Sequence, residues 1–544
     1  MKNPAECMAI LKKNIKREWK IAFFSAFFWG FLIHIPAWIN DIPNHDGLAS
    51  VYFDQNMITS GRWFLTVACG LTSYYTLPWL IGLLSILWIA ITAVLLVDIL
   101  NVNKTEWIVV ISGLLVSFPA LASTYAYVFT ADGYMLGMFL AVLAVYLTKN
   151  HKRGFMAGGI CLAFSMGTYQ AYLPVCILLC IYAIVQDWAA DAGGTSGAKN
   201  ADETRTVGCR RLIKDKISYV IQYLAMGIIG VSLYYILLQL LLKIQGKVLD
   251  TYQGINGMAS VGGDGIADTV VKMYSDFVSF TLKGNILFNN IFSLAAVVLI
   301  GVLFVIAMIH FVKERKLYQN IWFWIVCLLL IILIPPATNI ILFISPDVGY
   351  HLLMRYQYVF ILICAVAFIS NYGIDIPIAE WTLLLSGITL CFNFAVSDNI
   401  GYSNLQKRYE KTYAYCLRLA DRIEQTEGYY TGMPVVIMGM VGDENFPSTD
   451  VTTDVTGNMI GLCGDFLCYN GSNYQDFFKH YLGITIEIAD QETVGEIYNT
   501  SAVYQSLDSF PGANCTVVVD GVLYVRTENE LKQSEWPDTV VKDD

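Results

Sequence analysis

The sequence predicts a mainly α-helical, polytopic membrane protein with about 11 transmembrane helices and a small C-terminal extracytoplasmic α/β domain. Three observations carry this. The 544-residue chain is 56 % hydrophobic and only 14 % charged, against roughly a quarter charged in a soluble domain. Its apolar runs recur at lengths near the roughly 20 residues that cross a bilayer as a helix. Its charge is also divided: residues 1–396 hold 25 Lys+Arg and 21 Asp+Glu, whereas 397–544 hold 9 and 23. The net of -10 is therefore an apolar body at +4 joined to a polar tail at -14. This composition excludes an ordinary soluble enzyme, a disordered chain and a nucleic-acid binder working through a basic patch. Aromatic residues make up 14 %, in keeping with a chain that has two membrane interfaces to line.

The first apolar run, 21–39, is long for a signal-peptide core and lacks a small-residue cleavage site, so it reads as an anchor. Lys2, Lys12, Lys13, Lys16, Arg17 and Lys20 precede it and place the N-terminus in the cytoplasm by the positive-inside rule. Further runs lie near 78–99, 107–126, 133–148, 218–242, 290–312, 320–344, 352–370 and 378–395. The uncharged stretch 154–186 is too long for one crossing. It has basic residues on both sides: Lys149, Lys152 and Arg153 before it, Arg210, Arg211, Lys214 and Lys216 after. It is expected to enter and return as two short helices that turn near Gly167–Gln170. The odd total puts the tail outside. Three regions follow: a cytoplasmic segment 1–20, a membrane domain 21–396 and an outer domain 397–544. Multi-pass residence in a bacterial plasma membrane is the matching expectation.

Few ionisable groups fall within the apolar runs, which weakens an ion-coupled transporter reading. The acids gather in the segments expected outside. The first outer loop carries Asp41, His45, Asp46, Asp54 and Arg62. The next, 127–132, carries Asp132. A later one carries Asp347 and His351, with Arg355 just inside. An interfacial helix is expected from about Leu48 to Met57, and the apolar stretch 64–77 should lie along the interface. Acids in polar loops commonly serve only as helix caps, and His45 and His351 are in keeping with interfacial hydrogen bonding. Yet carboxylates with arginines on one face suit group transfer at a membrane surface. A carboxylate takes the proton of an acceptor hydroxyl, and a cation, or a metal held by two carboxylates, steadies a phosphate leaving group.

SGRWF (60–64), ADGYML (131–136) and MGTYQAYLP (166–174) resemble the GtrII-type glucosyltransferases, within the GT-C class of membrane glycosyltransferases. The tail segment 506–526 is also similar to the ends of that family's members. The resemblance implies inverting transfer of a hexose, typically glucose, from polyprenyl phosphate to a surface polysaccharide such as O-antigen. It implies Asp46 as general base, with Asp41 and Asp132 as supporting carboxylates. Arg62 and Arg355 would bind the donor phosphate, whose oxygens match the planar guanidinium fork. Tyr169, Gln170 and His351 would contact substrate. His45 stands beside Asp46 where a tight pair of acids would chelate better, so Mg or Mn stays open. The expected partners are the bilayer, the lipid-linked donor and a glycan acceptor, with no nucleic acid. A lipid-linked glycan flippase and a non-catalytic binder of cell-wall polymer remain the alternatives.

In the tail, apolar positions at Leu405, Tyr409, Tyr413, Cys416, Ala420 and Ile423 have helical spacing. PVVIMG (434–439) reads as a buried strand, and 474–482 and 493–507 as helices. CTVVV (515–519) and VLYVR (522–526), joined by Asp520-Gly521, read as a hairpin. A disulfide among Cys463, Cys468 and Cys515 is open. No phosphate loop, dinucleotide fingerprint, zinc spacing or nucleophile elbow occurs.

Overall fold

The computed structural model describes residues 3–6, 15–191, 204–250, 265–438, 455–489 and 502–527, apart from 73, 320, 346–347, 465, 470 and 503–505. Six of the described helices are long and apolar enough to cross a membrane, and a bent pair makes a seventh candidate. Four shorter apolar helices accompany them. The eleven crossings expected from sequence would need every one of these to cross.

The N-terminal half is a bundle. Helix α1 (Arg17–Ile39) and α2 (Pro78–Leu100) pack together, and α2 packs on α5 (Val128–Asn150). Between them lies the bent pair α3 (Thr105–Ser117) and α4 (Pro119–Tyr125), inclined at 43°. Pro119 causes the break. It has no N–H, and it drives the preceding residue out of helical geometry; Phe118 is extended at φ -69°, ψ 130°. The carbonyls set loose are satisfied from neighbouring elements, as lipid requires. Tyr356 donates to Leu115 O, and His34 Nε2 donates to Val116 O at 2.7 Å.

Helix α6 (Gly154–Thr168) and α7 (Leu173–Asp191) resolve the long uncharged stretch. They are separated by an extended Tyr169, at φ -159°, and a 3₁₀ turn over Gln170–Tyr172. The expected turn is therefore present. Then follow α8 (Thr204–Gln245), α9 (Gly265–Lys283), α10 (Ile291–Glu314), α11 (Ile321–Thr338), α12 (Gln357–Tyr372) and the 48-residue α13 (Pro377–Glu424).

Three expectations need correction. Asp132 is not in a loop. Helix α5 already starts at Val128, so Asp132 lies inside the helix, past its first turn. The stretch 243–289 holds the amphipathic helix α9, whose polar residues interrupt any continuous apolar run. The interfacial helix over Leu48–Met57 does not form. The chain makes a turn at residues 45–49, an isolated antiparallel bridge between Tyr52 and Tyr75, and a 3₁₀ turn over Ile58–Ser60. Gln55 sits at φ 57°, a left-handed conformation that interrupts helix. The stretch 64–77 does carry exposed apolar side chains, Val67, Leu71, Tyr75 and Leu77 among them.

A second hydrophobic core lies beyond the bundle. The last turns of α13 give it Tyr415, Cys416, Leu419, Ala420 and Ile423. Strands β1 (Val435–Met438), β2 (Thr516–Val519) and β3 (Val522–Arg526) form a sheet in the order β1-β3-β2. β1 runs parallel to β3 and β2 antiparallel to it. The β2–β3 turn has Asp520 at φ 51° and Gly521 at φ 80°, the signature of a tight hairpin turn that Asp-Gly favours. The segment 474–482 is α-helical over Gly471–Phe477 and continues as a π-type turn over Phe478–Leu482. Most of 493–507 lies outside the described residues. Cys463, Cys468 and Cys515 are unbridged.

Polar side chains one turn apart on α13 stitch this core to the bundle. Asn404 donates to Leu462 O at 2.6 Å, Arg408 to Cys463 O and Phe466 O at 2.9 and 2.8 Å, and the Thr412 hydroxyl accepts from Leu467 N at 3.1 Å. Gly461, at φ 84°, brings its backbone against Ala126, Tyr127 and Asn44, where a side chain would not fit. Leu48, in the loop between α1 and α2, is fully buried in the second core.

Candidate functional site

The three motifs that carry the resemblance meet in space. Trp63 lies over Gly167 so closely that an added Cβ would come 2.5 Å from its ring, and Phe64 N donates to Gly167 O at 2.7 Å. Arg62 Nη1 donates to Tyr134 Oη at 2.9 Å, and the guanidinium sits 4.9 Å from the centre of the Tyr169 ring. Tyr134 and Tyr169 stack at 4.6 Å and 15°. Gln170 Nε2 donates to Ser60 O and to Tyr234 Oη, both at 3.0 Å, and Tyr234 donates to Gly61 O at 3.1 Å. The break between α6 and α7 thus holds the loop that presents Arg62. Tyr134 and Tyr234, which complete this arrangement, were not singled out by the sequence reading. They stand in apolar runs and look there like interface aromatics.

Beside this cluster opens a cleft, open to solvent, with two unlike walls. Ser60, Arg62, Tyr169 and Gln170 form the polar wall; Ile341, Ile344, Val348 and Met354 form the apolar one. A ligand with an anionic head and a hydrocarbon chain fits such a pair of walls.

The acids take three different positions. Asp46 keeps 56 % of its side chain exposed, and His45 Nε2 approaches it at 3.3 Å. His45 stands edge-on to Tyr469 at 5.4 Å and to Tyr127 at 6.5 Å. Burial pushes its pKa below the usual imidazole range; Asp46 pulls it up and Arg408 pushes it further down. Asp46 also acts electrostatically on Tyr127 and on Tyr134, the phenol that holds Arg62. Asp41 lines a separate recess with Thr76 and Tyr481, and desolvation there raises its carboxyl pKa. Asp132 is only 1 % exposed. One of its oxygens accepts from Gly133 N at 2.8 Å, and the Cys69 thiol stands within hydrogen-bonding reach of the carboxyl. The structure therefore does not gather the three carboxylates into one set. Among the described residues no three His, Cys, Asp or Glu side chains come close enough to hold a metal ion, and no chemical step is derived through one.

Arg355 is held in a buried pair. Its Nη1 and Nη2 donate to Asp276 at 2.6 and 2.8 Å, and its Nε donates to Tyr350 O at 3.0 Å. The guanidinium lies 3.8 Å from the centre of the Tyr350 ring and 4.7 Å from that of Phe280. Asn339 donates a further hydrogen bond to Asp276 at 3.0 Å. Asp276 was missed because its helix was read as loop and its partner is 79 positions away. His351 is half-buried, and burial followed by the Arg355 charge lowers its pKa. Asp347 lies outside the described residues.

No curated protein and no solved structure matches this chain. Over residues 35–369, more than half its length, it matches the family described as Glucosyl transferase GtrII. The chain belongs to that family. The matched GtrII region contains Asp41, Asp46, Arg62, Asp132, Tyr169, Gln170, His351 and Arg355, and all three converging motifs. It ends within α12 and does not reach the tail segment 506–526. Membership of a glucosyltransferase family and several helices apolar enough to cross a membrane together support a multi-pass membrane glycosyltransferase.

Proposed function

We propose that the chain transfers a hexose, glucose by family resemblance, from polyprenyl phosphate to a surface glycan on the outer face of the membrane. The observation that carries this reading is the convergence of the three GtrII motifs on Arg62, at a cleft with one polar and one apolar wall. A polyprenyl phosphate is an amphiphile of that description: its phosphate meets Arg62 while its isoprenoid chain runs along Ile341, Ile344 and Val348 toward the bilayer. Orientation follows the charge asymmetry of the sequence, with the N-terminus in the cytoplasm and the tail outside.

In this reading the Asp46 carboxylate, open to water beside the cluster, accepts the proton of an acceptor hydroxyl. The oxygen attacks the anomeric carbon from the face opposite the phosphate. The C–O bond to phosphate breaks with inversion, and polyprenyl phosphate leaves with the electron pair, its charge met by Arg62. His45, biased toward neutrality, accepts or donates a hydrogen bond without competing as a cation for the donor phosphate. Asp132 acts from within the α5 helix, behind the first loop. Arg355, matched by Asp276, anchors the 350–355 segment that adjoins the apolar wall.

The test uses membranes containing the full chain, polyprenyl phosphate carrying labelled glucose, and surface polysaccharide extracted from the producing cell. Asp46→Asn is expected to lower transfer by about 10²- to 10⁴-fold, the range of a positioned general base. Transfer at the wild-type rate would remove Asp46 from that role. Movement of lipid-linked sugar across vesicles by the wild type, without transfer, would replace the enzyme reading by the flippase one.

A further inference from the structure

The geometry points to a second carbohydrate subsite, distinct from the donor cleft, where the first outer loop meets the tail. Its chemistry is that of a pyranose ring of the acceptor glycan, held between the Asp41 carboxylate and the face of Tyr481.

The recess is open to solvent and mixed in character: Asp41 and Thr76 stand in it with Ile42, Val51 and Phe129, and Tyr481 joins them from the tail. Asp41 makes no hydrogen bond or ion pair with the described residues, and the recess partly desolvates it. Asp41 is exposed at the mouth of this recess, so its carboxylate is open to a donating ligand hydroxyl. Tyr481 belongs to an aromatic group of the tail: it stacks on Phe477 at 5.2 Å and 28°, and meets Tyr409 at 5.7 Å. Asp41 acts electrostatically on both Tyr481 and Tyr409, so the carboxylate and the rings share one location. Tyr481 is presented by the π-type turn Phe478–Leu482, an uncommon geometry that often accompanies function. Neither Tyr409 nor Tyr481 is fully buried.

A half-exposed aromatic face beside an unpartnered carboxylate matches a sugar ring. The ring's C–H face packs on the phenol, and its hydroxyls donate to the carboxylate. The site has no cationic lining, which disfavours a phosphate, and its apolar side chains, Ile42, Val51 and Phe129 among them, suit the C–H face of a sugar ring. It also assigns work to the tail. The donor is handled by the matched GtrII region, while Tyr481 lies outside it. Acceptor choice is then set partly by a segment beyond the family's shared region. This rests on the glycosyltransferase reading above.

The experiment measures initial rates of labelled-glucose transfer by the full chain in membranes, varying donor and extracted polysaccharide separately. Tyr481→Ala is expected to raise the KM for polysaccharide at least tenfold and to leave the KM for donor unchanged. Tyr481→Phe, which keeps the ring, is expected to restore most of the loss. In parallel, retention of the purified chain in gels containing the same polysaccharide is expected to weaken for Tyr481→Ala and not for Tyr481→Phe. Equal shifts in donor and acceptor KM, or an unchanged acceptor KM, would overturn the subsite. If wild type binds the polysaccharide through Tyr481 yet transfers no sugar, the catalytic reading falls and the subsite stands. If wild type transfers sugar but the gel retention ignores Tyr481, the reverse holds.

Discussion

The loop between α1 and α2 has two halves with different allegiances. Residues 58–69 belong to the membrane body: Ile58, Trp63, Leu65 and Cys69 are buried in its core, and Arg62 joins Tyr134 and Tyr169. Residues 41–50 belong to the second core, the outer one in the proposed orientation: Leu48 is buried in it, His45 meets Tyr469, and Asp41 shares a recess with Tyr481. One short segment is therefore pinned to two cores, and Asp46 lies two residues before the Leu48 pin. The contrast teaches how a loop can carry chemistry without drifting. Each half is fixed by packing of its own, and neither requires the long helix rows that position residues inside a bundle.

Breaking the outer pin should have the largest effect on stability. Leu48→Ala removes a fully buried side chain and is expected to cost about 2–5 kcal/mol, seen as earlier proteolysis of the tail with the membrane helices still protected. Equal loss of protection in both regions would show that the two cores unfold together. Crowding the inner pin comes next. Gly167→Ala sets a methyl against the Trp63 ring, at a cost of about 1–3 kcal/mol, and should weaken donor saturation more than acceptor saturation. Unchanged donor KM would separate this contact from the cleft. The smallest effect belongs to Asp41→Asn. The folded state raises the Asp41 pKa, so folding favours its protonated form; that preference adds stability at low pH and is lost as pH rises through the folded pKa. At pH 7 the ionised carboxylate is a small burden, and the Asn variant should melt slightly higher. The gain should vanish below about pH 3.8, where both forms are neutral. A lower melting temperature for the variant at pH 7 would show that Asp41 has a stabilising partner.

Much of this was legible in the residues, and the misses have physical causes. The turn between α6 and α7 followed from basic residues on both flanks, because charge at two ends admits only an even number of crossings. The helix over 405–424 and the Asp520-Gly521 hairpin followed from local periodicity and turn chemistry. Arg62, Tyr169 and Gln170 were legible as motif members and do meet. The burial of Asp132 was not legible, since an acid at the edge of an apolar run reads as loop whether or not the helix begins before it. Asp276 was not legible because its meaning is tertiary: only folding shows that Arg355 is its partner. The first loop escaped for a related reason. Its turn and bridge depend on Leu48 and Trp63 being drawn toward separate cores, and no local pattern records that pull.

Helix α13 carries a consequence of another kind. It runs without interruption from Pro377 to Glu424, about 72 Å at 1.5 Å per residue, through the apolar stretch and into the outer core. Such a helix transmits rotation as well as height. Each residue advances it by about 100°, so the number of residues between Leu390 and Tyr415 sets the compass bearing of the whole outer core. One residue added near Ser397 would swing Tyr481 about a quarter-turn away from Asp41. Seven would return the bearing nearly to its start but lift the core by about 10 Å. The meeting of loop and tail is in this sense counted along the chain as well as packed.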